Sequence, residues 1–155
     1  MDFLLDTNIL LYYLRNQTPI IDYVDKHYQP FASANTAIIS IVSIGELKAI
    51  GLRNNWGQQR FFQMNRFLSQ LLKADINAED VFGAYAEIDT FSQGHSKTKQ
   101  LIGTARNMGK NDLWIAATAS VLNATLLTTD KDFQHLKGVF LDVDLIDIAQ
   151  ILTNP

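Results

Sequence analysis

Short hydrophobic runs separated by polar turns divide the chain into alternating strands and helices. Runs of strand length cover residues 3–5, 37–41, 124–129 and 139–143. Apolar residues elsewhere recur at helical spacing, which predicts helices over 8–14, from 19, from 43, over 58–72, over 78–93, from 111, from 132 and over 145–152. Strands that alternate with helices predict an α/β fold, whose central, mostly parallel sheet is flanked by helices on both faces.

Polar side chains mark the expected starts of three of these helices. Ser43 and Glu46 have the spacing of a capping box, and Asn111 has a side chain suited to an N-cap. Asp132 is expected to cap a short helix after the third predicted strand. A capping role would explain the presence of Glu46 without a catalytic or metal-binding function.

The composition is typical of one compact domain without cysteine. With 155 residues and 47% hydrophobic content, residues 1–155 are long enough to form a single domain whose core needs no disulfide bonds. The lack of cysteine excludes thiolate zinc sites and cysteine nucleophiles, and it suits a reducing compartment. Asp2 lies where a secretory signal would carry positive charge, and no run approaches the ~18 apolar residues of a membrane span. We therefore expect a cytoplasmic protein with no membrane partner.

Charge is distributed unevenly along the chain. A formal net charge of −3 gives no overall attraction to nucleic acid, so any such contact must be local. Residues 93–110, called here the basic segment, contain no acid and four cations: Lys97, Lys99, Arg106 and Lys110. Gly94, Gly103 and Gly109 predict a loop there. A solvated surface loop and a phosphate-contacting loop explain this segment about equally well.

Four acids lie where apolar segments meet polar turns, namely Asp6, Glu46, Asp112 and Asp130. In an open parallel sheet, the carboxyl ends of the strands and the nearby helix starts share one edge, so these residues are expected to meet in one cleft. Crowded carboxylates repel one another and raise each other's pKa unless a cation neutralises them. Oxygen ligands without histidine or cysteine favour Mg²⁺ or Mn²⁺ over Zn²⁺.

A carboxylate-bound metal ion of this kind favours hydrolysis of phosphodiester bonds, because it can bind a phosphate oxygen and activate water. Neighbouring hydroxyl and amide side chains are expected to orient the carboxylates and water: Thr7, Asn8, Asn111, Thr128 and Thr129. Each acid taken alone also has a structural explanation. Asp6 and Asp130 could form turns or caps, and Asp112 would be stabilised by the dipole of its helix.

Taken in order along the chain, four motifs resemble those of the PIN-domain nucleases, and most closely the single-domain toxins of the VapC type. The motifs are Leu5-Asp6-Thr7-Asn8, Glu46-Leu47, Asn111-Asp112-Leu113-Trp114-Ile115-Ala116-Ala117 and Thr128-Thr129-Asp130-Lys131-Asp132-Phe133. Together they span nearly the whole chain.

The resemblance implies a PIN-like three-layer sandwich and a metal-dependent endoribonuclease that leaves 5′-phosphate and 3′-hydroxyl ends. Matched position by position, Asp6, Glu46, Asp112 and Asp130 would be the metal-binding acids. Thr7, Asn8 and Thr128 would help to position metal or water. The resemblance also implies a homodimer and a small antitoxin whose tail enters the active-site groove.

The basic segment departs from the family pattern, since it is longer than the connection usual before the Asn-Asp motif of such toxins. We hypothesise from its charge that it flanks the acidic cleft and holds RNA phosphates that the acids would repel. Replacement of its four cations by alanine should then weaken RNA binding and flatten the salt dependence of binding.

Two alternative functions stay open at this point. A non-catalytic PIN-like module could bind RNA or protein, although it would have no chemical need for all four acids. A phosphatase or phospho-receiver with an aspartyl nucleophile is disfavoured, because Thr7 and Asn8 leave no second carboxylate in the turn after Asp6.

Overall fold

A five-stranded parallel sheet forms the centre of the molecule in the structure, a computed structural model that describes residues 1–153. Its strands are β1 (Asp2–Leu5), β2 (Thr36–Ser40), β3 (Leu72–Ala74), β4 (Thr125–Thr128) and β5 (Val143–Leu145). Their order across the sheet is β3-β2-β1-β4-β5, and every neighbouring pair is parallel. This confirms the predicted α/β class with its central parallel sheet.

Helices occupy the connections between the strands. They are α1 (Thr7–Leu14), α2 (Thr18–His27), α3 (Ile41–Arg53), α4 (Gln58–Leu68), α5 (Glu79–Ser92), α6 (Lys110–Leu122) and α7 (Ile148–Thr153), with a 3₁₀ helix at Lys131–Leu136. Within residues 1–153, no helix is long and apolar enough to cross a membrane.

The sheet separates two hydrophobic cores, because successive side chains of a strand point to opposite faces. Leu4 and Leu126 belong to the core that includes α5 and α6. Phe3, Leu5 and Leu127 belong to the core that includes α1, α2 and α4. The central strands therefore bury both faces, which explains why they read as continuous apolar runs in the sequence.

The predicted helix over residues 58–72 was wrong at its C-terminal end. α4 ends at Leu68, and Leu72–Ala74 forms the edge strand β3 beside β2. Only Ala74 of this strand is buried, while Leu72 is 57% exposed. Three residues with one buried side chain carry too little alternation to be recognised as a strand.

The last strand and helix also lie later than predicted. Residues 139–143 were expected to form the strand, but it begins at Val143 because Gly138, with φ of 72°, begins a turn that leaves Val139 41% exposed. The final helix begins at Ile148 rather than at 145, after an Asp147 side chain that accepts a hydrogen bond from the Gln150 amide.

All three predicted caps were displaced. The N-cap of α3 is Ser40, whose hydroxyl accepts a hydrogen bond from the Val42 amide, so the helix begins directly at the end of β2. The N-cap of α6 is Gly109 rather than Asn111. The 3₁₀ helix is capped by Asp130 rather than by Asp132. As predicted, the basic segment contains no helix or strand over residues 93–109.

Candidate active site

The four acids line a single groove of about 670 Å³ at the carboxyl edge of the sheet. Asp6 follows β1 directly, and Asp130 follows the neighbouring strand β4. Glu46 projects from α3 and Asp112 from the first turn of α6. β1 and β4 are the strands between which the chain reverses its direction across the sheet. In open α/β sheets, this switch point is where ligands bind.

Asp6 is held in position by hydrogen bonds to both of its carboxylate oxygens. Oδ1 accepts from the Thr7 amide at 2.7 Å, which caps α1, and Oδ2 accepts from the Thr128 hydroxyl at 2.7 Å. The side chain is only 4% exposed, and Thr128 is fully buried beneath it. The carboxylate is therefore fixed between β1 and β4 and can move little.

Glu46 is oriented by two side chains from other elements. The Thr7 hydroxyl donates to Oε2, and the Asn111 amide donates to Oε1 at 2.8 Å. The Thr7 hydroxyl is also hydrogen-bonded to the hydroxyl of Ser43, at 2.9 Å. Glu46 lies in the second turn of α3 and is not a cap, so the structural explanation considered for it in the sequence does not hold.

The Asp112 carboxylate lies in the space that a side chain at position 109 would enter. A Cβ atom at Gly109 would lie 2.8 Å from the Oδ2 atom of Asp112, closer than real Cβ contacts allow. The backbone conformation of Gly109, with φ of −58°, is ordinary, so the effect of a larger residue there would be to displace the adjacent carboxylate.

Asp130 is connected to Asp6 through Thr128. The Thr128 hydroxyl accepts a hydrogen bond from the Asp130 amide at 3.0 Å and donates to Asp6, so one hydroxyl orients two acidic residues. The Asp130 carboxylate also caps the 3₁₀ helix by accepting from the Asp132 amide at 2.8 Å. A capping role and a place in the groove are thus compatible for this residue.

Burial and mutual repulsion raise the pKa of two of the acids. Burial is the largest cause for Asp6, whose pKa rises to about 6 despite hydrogen bonds from Thr128 and Thr7, with further contributions from the charges of Glu46 and Asp130. Burial, followed by the charges of Asp6, Asp130 and Glu46, raises the pKa of Asp112 to about 6. The pKa values of Asp6 and Asp112 are therefore raised in part by the charges of neighbouring acids, as expected of carboxylates that share a site without a cation.

The side chains that line the groove fit a hard divalent cation. Their donors are carboxylate, hydroxyl and amide oxygens, which Mg²⁺ and Mn²⁺ prefer. Within residues 1–153, no group of three acidic or histidine side chains is already arranged to hold a metal ion. An ion bound in the groove would therefore have to bind through one or two of the carboxylates and keep several waters, as Mg²⁺ usually does.

Not all sequence-predicted residues reach the groove. Thr7, Asn8 and Asn111 line it, and Thr128 lies just beneath as the partner of Asp6. None of the four cations of the basic segment is among the residues that line it. Lys97 and Lys99 lie instead around a separate small pocket, where the Lys99 ammonium is 4.9 Å from the centre of the Phe140 ring.

Three residues of the site were not predicted from the sequence in their observed roles. Ser43 supports Thr7 rather than capping α3, while Trp114 and Arg53 line the groove. Arg53 could have been found, because it lies seven positions after Glu46 and so falls on the same face of α3. The role of Ser43 depends on where α3 begins, which the pattern of apolar residues placed too late.

The fold and groove define a class of protein, a parallel α/β domain with a cluster of acids at its topological switch point. The model of the PIN domain family matches residues 3–139, and the chain belongs to this family. The predicted resemblance to PIN-domain proteins is thereby confirmed.

Two VapC ribonucleases are similar in sequence to this protein over nearly the full chain. Ribonuclease VapC2 of Rickettsia felis is 32% identical over 143 residues, which cover 92% of this chain and 97% of the relative. Ribonuclease VapC1 of Haemophilus influenzae strain R2866 is 28% identical over 137 residues, which cover 88% of this chain and 92% of the relative.

Solved structures share the fold. The complex of VapBC2 from Rickettsia felis with a promoter DNA fragment includes a chain that aligns with a TM-score of 0.73 and 24% identity, over 95% of this chain and 100% of that chain. A chain in the structure of VapBC-1 from nontypeable Haemophilus influenzae aligns with a TM-score of 0.68 and 24% identity, over 94% of this chain and 98% of that chain.

Proposed function

We propose that this protein is an Mg²⁺- or Mn²⁺-dependent endoribonuclease that hydrolyses RNA phosphodiester bonds, and that it is the toxin of a toxin-antitoxin pair. The observation that carries the proposal is the convergence of Asp6, Glu46, Asp112 and Asp130 on one groove. The ribonuclease names of relatives that span nearly the whole chain support the choice of RNA as substrate.

Asp6, Glu46, Asp112 and Asp130 would hold the metal ion in this proposal. When bound there, Mg²⁺ or Mn²⁺ would supply a Lewis acid for the phosphate and lower the pKa of a coordinated water. Thr128 fixes the orientation of the Asp6 carboxylate, and Thr7 and Asn111 fix that of Glu46. These fixed orientations reduce the rearrangement needed when substrate arrives. Asn8, which also lines the groove, would help to position metal or water.

The raised pKa of Asp6 and of Asp112 gives the proposed site a defined pH dependence. Near pH 6 both groups are partly protonated, and protons compete with a metal ion for the same oxygens. Activity should therefore rise through pH 6 and level off above about pH 7, as both carboxylates become ionised.

A small antitoxin and a homodimer complete the proposal. Solved structures of similar fold include a toxin-antitoxin complex from Klebsiella pneumoniae and VapBC-5 from Mycobacterium tuberculosis, a member of the VapBC family of toxin-antitoxin systems. By analogy, we propose that a small antitoxin binds this chain and that residues 1–155 form a single domain that pairs with a second copy.

The proposed activity is tested by RNA cleavage with matched acid variants. The wild type should cleave single-stranded RNA in Mg²⁺ or Mn²⁺, lose activity in EDTA and regain it when metal is restored. Asp112→Asn should reduce cleavage by at least 100-fold, whereas Asp80→Asn should leave it unchanged. Asp80 is a suitable control because it also lies in the first turn of a helix, α5, but outside the groove.

The same assay separates an enzyme from a non-catalytic binding module. A module would bind RNA or protein without cleaving RNA, so no new 5′-phosphate ends would appear. Cleavage that continues in EDTA, or that survives Asp112→Asn, would overturn the proposal.

A further inference from the structure

The groove extends along α3 beyond the four acids. Glu46 marks its acidic end, and Arg53, in the last turn of the same helix, lies two turns further on, about 10 Å along the helix axis. On α3, the residues that line the groove between Glu46 and Arg53 are Ala49 and Ile50, which are apolar, and Val42, Ile76 and Trp114 add apolar surface to other parts of its lining. Along α3, the groove wall is therefore acidic at Glu46, apolar at Ala49 and Ile50, and cationic at Arg53.

Arg53 is the one cation among the side chains that line this groove. It is exposed, and the only ion pair within residues 1–153 joins Lys137 to Asp144, so no carboxylate in the described part of the chain neutralises its guanidinium. The guanidinium is thus available to an anion that enters the groove.

We propose that Arg53 binds a phosphate of the RNA substrate other than the one that is cleaved, and that it positions the strand along α3. This inference rests on the proposed ribonuclease function. An RNA strand that places one phosphate near the acids must place its neighbours within the same groove. The acids repel these neighbouring phosphates and the apolar wall offers them no donor, whereas a guanidinium can donate two parallel hydrogen bonds to a phosphate.

The apolar part of the groove lining suits bases rather than phosphates. Trp114 belongs to this lining and packs against Tyr85 of α5, with ring centroids 4.2 Å apart. An aromatic surface of this kind stacks with any base, because every base has a π face. Phosphate binding at Arg53 and base contact near Trp114 are thus compatible along one strand.

A simpler explanation of Arg53 is its place at the end of a helix. A cation in the last turn interacts favourably with the helix dipole wherever the helix lies. Arg66 holds the equivalent place in α4, is exposed and does not line the groove. Arg66→Ala is therefore a matched control for Arg53→Ala, since it removes the same helix-end charge outside the groove.

The inference is tested by RNA binding in the Asp112→Asn background, where the proposed function predicts no cleavage. The affinity for a fluorescently labelled single-stranded RNA is measured by anisotropy in Mg²⁺ over a range of salt concentrations. Arg53→Ala should weaken binding about 10-fold and reduce the slope of log K against log salt by about 0.7, the value for one phosphate contact on a single strand. Arg66→Ala should change neither quantity, and Arg53→Lys should keep the slope.

Steady-state cleavage with Asp112 restored provides an independent measurement. Arg53→Ala should raise KM about 10-fold and change kcat less than 3-fold, as expected of a residue that positions the strand without touching the reacting atoms. An unchanged salt slope and KM in Arg53→Ala would overturn the inference while leaving the ribonuclease proposal intact. Failure of the wild type to cleave or bind RNA would instead overturn the proposed function, and this inference with it.

Discussion

Asp6→Asn should make the protein more stable at neutral pH while it removes the proposed activity. The Asp6 carboxylate is buried and its pKa rises from 3.8 to about 6, so the folded state binds a proton more readily than the unfolded state does. The free energy of unfolding therefore falls as pH rises from about 4 to 6 and stays low above that range. A difference of about 2 pKa units between the folded and unfolded states lowers the free energy of unfolding above pH 6 by about 3 kcal/mol.

Asparagine has nearly the same shape as aspartate and carries no charge. Its Oδ1 atom can still accept from the Thr7 amide, but its amide nitrogen must donate to the Thr128 hydroxyl, which reverses one hydrogen bond. Allowing roughly 1 kcal/mol for that change, we expect a net gain of about 2 kcal/mol above pH 7. At pH 4 the gain should be lost, because Asp6 of the wild type is then protonated as well, and the cost of the reversed hydrogen bond should make the variant slightly less stable than the wild type.

Urea unfolding in EDTA at pH values from 4 to 8 measures this gain directly. Asp80→Asn serves as the control, since that acid lies in the first turn of α5 outside the groove and its removal should not stabilise the fold. An Asp6→Asn variant that is less stable than wild type at pH 7.5, or a gain that is the same at pH 4 and pH 7.5, would refute the reasoning. Added Mg²⁺ should stabilise the wild type more than the variant.

Other substitutions test how the site is held together. Gly109→Ala should displace the Asp112 carboxylate, because the new Cβ would lie 2.8 Å from its Oδ2 atom. Mn²⁺ binding measured by calorimetry should therefore weaken about 10-fold or more, while the helix content measured by circular dichroism should change little. Thr128→Val removes a hydrogen bond that lowers the pKa of Asp6, so the acidic limb of the pH-activity profile should move to higher pH; an unmoved limb would argue against this role. Replacement of all four cations of the basic segment by alanine should weaken RNA binding and flatten its salt dependence if that segment contacts phosphates. If this replacement weakens RNA binding less than Arg53→Ala does, Arg53 makes the stronger contact with the RNA.

The sequence predicted the centre of the fold well because its central strands are buried on both faces. A strand covered by helices must be apolar throughout, so β1, β2 and β4 appear as unbroken runs beside polar turns. The parallel order of such strands then places Asp6 and Asp130 at one edge of the sheet. The grouping of the acids could therefore be predicted from the sequence.

The edges of the fold were less predictable because their side chains are half exposed. β3 has one buried residue, and its pairing with β2 depends on backbone hydrogen bonds that no side-chain pattern records. The true caps were obscured for a related reason. Ser40 is at once the last residue of β2 and the N-cap of α3, so no polar linker separates strand from helix.

The finer arrangement of the site could not be predicted from motifs. Nothing in the spacing of residues shows that Thr128 joins Asp6 to Asp130, or that the glycine at position 109 makes room for Asp112. The hydrogen bond from Thr128 to Asp6 joins residues 122 positions apart and depends on the pairing of β1 with β4, while the contact at position 109 depends on the orientation of the Asp112 side chain.

Anomalous diffraction from crystals soaked in Mn²⁺ tests the central claim most directly. We expect a Mn²⁺ peak in the groove, with carboxylate oxygens of Asp6 and Asp112 among its ligands at roughly 2.0–2.3 Å. The peak should be absent from Asp112→Asn crystals soaked in the same way. A wild-type groove without Mn²⁺ at a concentration that supports full RNA cleavage would contradict the account.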